Sequence, residues 1–311
     1  MTTFMQIRDQ LRSYAAHHEV MLQRIWHLCL TLVSLWCLAT AFPVEGALQS
    51  PLLVIVFSVF GMFLPISGCA LVILFFGLLH LALISTVPTL IVVAFFILGY
   101  LICVYYQADT KYHLILLPVT YQLGIPFASP LVSGLLGSMN DVAGIVVGGF
   151  IAFYLKVIHD NIAILTDSSS KTTALALLMS QMLQNRMFYF FIISLVAMFL
   201  VVYLVRTRNI RFSWFFAVFF GTAAEFAIML AGYLFTGNRS GIPALLLGNL
   251  VTLLLGILMT YFLMDLDYNR VEKVQFEDDD YYYYVTAVPK IKLSKEEKTV
   301  KKITHGRRGR K

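Results

Sequence analysis

Charge is scarce in this sequence where a water-soluble protein would need it. Of 311 residues only 13% are charged and 59% are hydrophobic, against about 25% and about 45–50% in an ordinary soluble domain. The shortfall is concentrated. Residues 1–24 hold five charges and residues 265–311 hold 21, whereas the 240 residues between them hold 14. So few charges cannot cover a soluble core of that size. They suit bilayer-spanning helices, each of which needs about 20 mostly apolar residues.

Cysteine is also sparse. Cys29, Cys37, Cys69 and Cys103 all fall in apolar runs and none has CxxC spacing, so the sequence indicates neither a zinc site nor a disulfide framework. Hydrolase and nucleotide motifs are missing: there is no HExxH, GxSxG or GxxxxGK[ST]. The expectation is a chain that is not an enzyme and carries no cofactor or metal. The start has the small-x-small pattern Ala39-Thr40-Ala41 of a signal-peptide cleavage site. The 24 residues before the first apolar run include Asp9 and Glu19, too long and acidic for a signal sequence, so an uncleaved first span is expected.

The apolar runs themselves are long and frequent. They lie at roughly 25–42, 48–64, 68–84, 88–106, 141–158, 186–205, 212–235 and 242–264, with Pro43, Pro51, Pro65 and Pro88 marking early boundaries. Before them, Phe4, Ile7, Leu11, Tyr14, Met21 and Ile25 recur at helical spacing. Residues 1–24 therefore read as an amphipathic helix that lies on a membrane surface, pairs with a partner or extends the first span.

Basic residues accumulate on the cytoplasmic side of membrane proteins. Arg8, Arg12 and Arg24 precede the first span, Arg206, Arg208 and Arg211 cluster between two later ones, and the tail carries 12 Lys and Arg. All three groups are cytoplasmic only if residues 113–137 do not cross completely. That stretch contains Pro118, Gly124, Pro126 and Pro130. Two half-helices, His113–Gln122 and Ser129–Gly137, meeting at Leu123–Ala128 would fit; the alternative is one proline-kinked span. Broken helices at membrane depth point to transporter binding sites. The expected fold is an all-α polytopic membrane protein with eight transmembrane helices, one re-entrant element and a polar cytoplasmic tail. In domains this gives residues 1–24, a transmembrane domain 25–264 and a tail 265–311. Both termini are then cytoplasmic, in the plasma membrane. Residues 159–185 form the one long outer connection. Within it Leu175, Leu178, Met179, Met182 and Leu183 line one face of a helix too short to span, an interfacial anchor or a lid.

Ionisable residues inside spans are costly and mark functional candidates. Glu225 is the clearest. In an antiparallel hairpin Asn249 falls about 4.5 Å from its level at 1.5 Å per residue, so the two read as a polar site or as inter-helix glue. Asp141 either complements a helix N-terminus or lines an entrance beside Pro126, Ser129 and Pro130. Lys156 reads as snorkelling, and His80 and His113 as isolated packed residues. In the tail, Glu277-Asp278-Asp279-Asp280 precedes Tyr281, Tyr282, Tyr283 and Tyr284, and residues 281–288 favour a strand with no sheet to join. Residues 276–292 are a candidate docking segment for a cytoplasmic protein. The basic end with Arg307 and Arg308 suits anionic lipid, the rest of the tail reads as largely disordered, and nucleic-acid recognition is not supported. Two functions follow: a transporter or permease-type subunit with its path at Glu225/Asn249, Asp141 and the broken element, or a scaffold that recruits a partner through its tail.

Overall fold

The computed structural model describes residues 2–43, 47–106, 112–166, 171–208, 212–263, 272–277 and 282–287. It falls into two units, Arg12–Leu263 and the termini Met1–Leu11 with Met264–Lys311.

Thirteen α-helices are present among the described residues: α1 Thr2–His17, α2 Glu19–Ala41, α3 Pro51–Met62, α4 Ile66–Ile84, α5 Thr86–Tyr105, α6 His113–Gln122, α7 Ala128–Leu136, α8 Val142–Asp160, α9 Ile162–Thr166, α10 Lys171–Leu183, α11 Arg186–Arg206, α12 Ser213–Thr236 and α13 Ile242–Leu263. The N-terminal helix is an extension of the first span in its backbone: only His18 separates α1 from α2, and the ladder continues through it (His18 N–H to Tyr14 O, 3.1 Å).

Six helices, α2, α5, α8, α11, α12 and α13, are long and apolar enough to cross a bilayer. The chain is an integral membrane protein. Eight spans are expected from the sequence, but α3 and the Gly68–Ile84 part of α4 are shorter apolar helices. Pro51 fixes the first turn of α3, whose 12 residues reach about 18 Å across a hydrocarbon layer of about 30 Å.

Packing is inverted relative to a soluble protein. On α13 the buried positions include Thr252, Gly256 and Thr260, while Leu247, Leu250, Leu254 and Leu258 are more than half exposed. Small and hydroxyl residues let helices approach closely, and leucines face what is apolar outside, as in lipid. The core is aromatic, centred on Phe153, Phe188, Phe191 and Phe199, with Phe153 edge-on to Phe188 at 5.1 Å.

Side-chain levels fix the helix directions. Gly149 lies against Ile192 and Leu195, and Phe153 against Phe188, so α8 and α11 are antiparallel. Gly148 meets His113, while Lys156 and His159 share a crevice with Tyr121 and Gln122, so α6 runs with α8. Phe127 meets Phe191, Gly134 meets Val202, and Arg206 reaches Gly137, so α7 runs with α11. Helices α6 and α7 are therefore antiparallel, and their turn points toward the Arg186 end of the bundle.

Helix α10 buries Leu178 and Met182 in the main core. Asn161 and Gln181 exchange hydrogen bonds (2.6 and 3.2 Å) that tie α10 to the end of α8. Of its expected apolar face, Leu183 is half exposed.

The tail holds a hairpin. Strand β1 (Glu272–Glu277) pairs antiparallel with β2 (Tyr282–Ala287), Glu277 opposite Tyr282 and Glu272 opposite Ala287. The strand expected at 281–288 thus has a neighbour in its own chain, which corrects the reading that it has no sheet to join. Val274 and Phe276 alternate with polar residues in β1, a strand signal on the near side of the acidic turn. Tyr281, Arg307 and Arg308 lie outside the described residues, as does the disorder expected for the end of the tail.

Candidate functional site

Helices α12 and α13 form a hairpin through Gly237–Gly241. Glu225 sits midway along α12, fully buried. The level arithmetic from the sequence anticipates its neighbour: Asn249 Nδ2 donates to Glu225 Oε2 at 2.5 Å and to the Thr222 carbonyl at 3.0 Å. Glu225 Oε1 has no hydrogen-bond partner among the described residues.

The broken element packs beside this pair. Gly124 adopts φ +76°, a conformation that glycine takes without steric cost, and it lets α6 turn back. His113 Nδ1 and Ser129 Oγ, 2.7 Å apart, pin together the starts of the two half-helices. Backbone meets backbone at the turn: a Cβ at Gly248 of α13 would lie 2.5 Å from the Gly124 carbonyl oxygen. Gly248→Leu is therefore expected to push α13 off the turn, a cost of about 1–3 kcal/mol or more. The check is a lower unfolding temperature in detergent than for Leu250→Ala, a change at an exposed position on the same helix.

Between the turn, α8, α11, α12 and α13 lies a cavity of about 450 Å³. Tyr121, Phe127, Phe153, Phe191 and Tyr233 form its aromatic wall, and Lys156, Asn185, Thr236, Asn238 and Asn249 supply polar atoms. The exposed lining residues Asn185 and Asn238 stand at the Arg186 end of the bundle, so the cavity opens there, and Asn249 lines it nearer the middle of the bundle. Lys156 forms an ion pair with Asp160 one helical turn on, both side chains partly exposed. A pocket of this size, with an aromatic wall and placed polar groups, suits a small molecule.

The opposite end of α7 is closed by polar contacts. Arg206 donates from Nη1 to the Leu135 carbonyl and from Nη2 to the Gly137 carbonyl (3.1 Å), and its guanidinium lies 5.3 Å from the Tyr203 ring centre. Asp141, fully buried, accepts from Ser133 Oγ at 2.9 Å and from the Ser138 N–H at 3.2 Å. It joins the end of α7 to the start of α8. Asp141→Ala leaves both donors without this acceptor and is expected to lower stability by about 1–3 kcal/mol, read as an earlier melting transition, with the cavity still open to labelling.

The structure thus brings Glu225, Asn249 and Pro126 to one place. Ser129 and Pro130 lie inside α7 away from the cavity lining, and Asp141 stands at the other end. No protein family, curated protein or solved structure matches this chain. Sequence reading missed the aromatic wall, because Phe153 and Phe191 look like any core phenylalanine in an apolar run. It also treated Lys156 and Arg206 only as interface and orientation markers. Asn185, which caps α11 through the Met187 N–H at 3.0 Å, and Asn238 in the hairpin turn were legible only as loop chemistry.

Proposed function

We propose that this protein is a transporter or permease-type membrane subunit whose solute enters the cavity walled by Phe153, Phe191 and Tyr233 and floored by Asn249. The observation that carries the reading is the meeting of three things: a cavity of solute size, a broken helix at its wall, and a buried carboxyl bonded to a cavity residue. Non-helical backbone at membrane depth is tolerated where it lines such a space, and inward-facing ionisable groups mark solute and ion pathways.

In this reading α6 and α7 are a re-entrant element among eight crossings, with α3 and α4 crossing as short helices by local thinning of the bilayer. The arginines of α1 and the first turns of α2, those at and beyond the end of α11 and the basic tail face the cytoplasm of a plasma membrane, so the cavity opens outward. Ala244 lines the cavity and is exposed. In proteoliposomes, Ala244→Cys is expected to react with a membrane-impermeant maleimide from the outside, and a transported solute to slow that reaction. Labelling only from the cytoplasmic side overturns the orientation. Absence of flux for every solute of a broad panel, with a partner co-purifying through the tail, overturns the transporter.

One observation favours the second reading, a scaffold. The tail hairpin presents Tyr282, Tyr283 and Tyr284, all exposed, on a two-stranded sheet that a partner strand can extend. A scaffold is expected to lose its cytoplasmic partner on removal of residues 276–311 and to tolerate Glu225→Gln. Anionic lipid at Arg307 and Arg308 would add electrostatic attachment to either function.

A further inference from the structure

Glu225 is the one acidic residue within α12 and the helices packed against it, α7, α11 and α13. The charged groups on elements packed against α12 are Arg186 and Arg206 at the two ends of α11 and Arg239 in the turn, and the phenols are Tyr189, Tyr203, Tyr233 and Tyr261. Gly221 lies against Met198 and Gly232 against Phe190, so Glu225 stands level with the middle of α11, roughly 15 Å along the helix from either of its arginines at 1.5 Å per residue. Among the described residues no counter-charge stands beside a carboxylate at this level, and its charge state depends on whether water reaches it. Asn249 links the two: it donates to Glu225 and lines the cavity. The cavity, at about 450 Å³, has room for several waters of about 30 Å³ each.

We propose that Glu225 is a proton-carrying site that exchanges its proton with water in the cavity, with Asn249 holding the carboxylate once the proton has left. The inference rests on the reading of the cavity as an open solute path. The step is a bare proton transfer. The O–H bond of the Glu225 acid breaks, its electron pair stays on the carboxylate, and a water admitted from the cavity past Asn249 to the buried carboxyl takes the proton and passes it outward. Asn249 Nδ2 already donates to Oε2 and so meets the charge where it forms, since hydrogen bonds to ionised groups are the stronger ones. Oε1, without a partner, is the oxygen available to the proton. A metal cation fits poorly here: hard cations take about six or more oxygen ligands, and no cluster of three acidic, histidine or cysteine residues occurs among the described residues.

The test is infrared difference spectroscopy of the full chain in proteoliposomes after a pH jump in the outer medium. The wild type is expected to show a protonated-carboxyl band that responds to the jump. Glu225→Gln removes the band, Asn249→Leu moves it to higher frequency by taking away a hydrogen bond, and Glu225→Asp, which keeps a carboxyl, retains a responsive band. Ala244→Trp, which fills the cavity mouth, slows the response about tenfold or more. A carboxyl band that is the same in Glu225→Gln, or one indifferent to the outer jump in folded protein, overturns the proton site. The two readings fail separately. A responsive Glu225 band with no solute flux sustains the proton site and sinks the transporter, whereas uphill uptake that persists undiminished in Glu225→Gln sinks the proton site alone.

Discussion

Arg206→Met is expected to release the far end of α7 and to lower the unfolding temperature by roughly 6–12 °C, taking about 3 kcal/mol at 2–4 °C each. A nine-residue helix is too short to hold itself, and the last carbonyls of a helix have no partners within it. Arg206 satisfies two of them at once through the fork of its guanidinium. Lysine has the charge without the fork, so Arg206→Lys is expected to fall between methionine and wild type. The same change should expose the buried Leu135, so that Leu135→Cys combined with Arg206→Met reacts with a water-soluble thiol reagent while Leu135→Cys alone does not. Equal melting temperatures for wild type and Arg206→Met would show that α7 is held by something else.

The second large effect concerns transport. Glu225→Gln keeps the shape of the side chain and its contact with Asn249, so the protein is expected to fold and reach the membrane at wild-type level. Uptake of a coupled solute against its gradient should fall by about tenfold or more, the scale set by losing a charge-assisted hydrogen bond of about 1.5–3 kcal/mol. Exchange of solute at equal concentrations should fall far less, since that needs no net proton movement. Reconstituted vesicles measure both. A variant with unchanged uphill uptake would reduce the Glu225–Asn249 pair to a structural contact between α12 and α13.

Much of the site was legible because it depends on one-dimensional arithmetic. Residues at equal distance from a hairpin turn meet, which is why Glu225 and Asn249 could be paired from sequence. The proline and glycine positions located the break, and the observed helices His113–Gln122 and Ala128–Leu136 lie within a residue of the expected halves. What sequence could not supply was rotation and partnership. Whether Phe153 faces core, lipid or cavity depends on the azimuth of α8, and an evenly apolar helix gives no periodic signal of it. Arg206 looks the same in sequence whether it points to water or turns back onto α7. The tail strand was visible from its tyrosines, but its neighbour was obscured because β1 has only two apolar side chains, Val274 and Phe276.

The weak burial of α13 has a practical consequence. Only 17% of its spanning window is buried, against 56% for the window that contains α8, yet α13 supplies Asn249 and one wall of the cavity. It is held by a thin seam of small residues and the Asn249 hydrogen bonds to α12, while its leucine surface faces outward. Purification sets that environment: a delipidating detergent should peel α13 away first, leaving a protein that is folded and monodisperse but has lost its binding chamber. Lipid nanodiscs are therefore the preparation in which ligands should be sought.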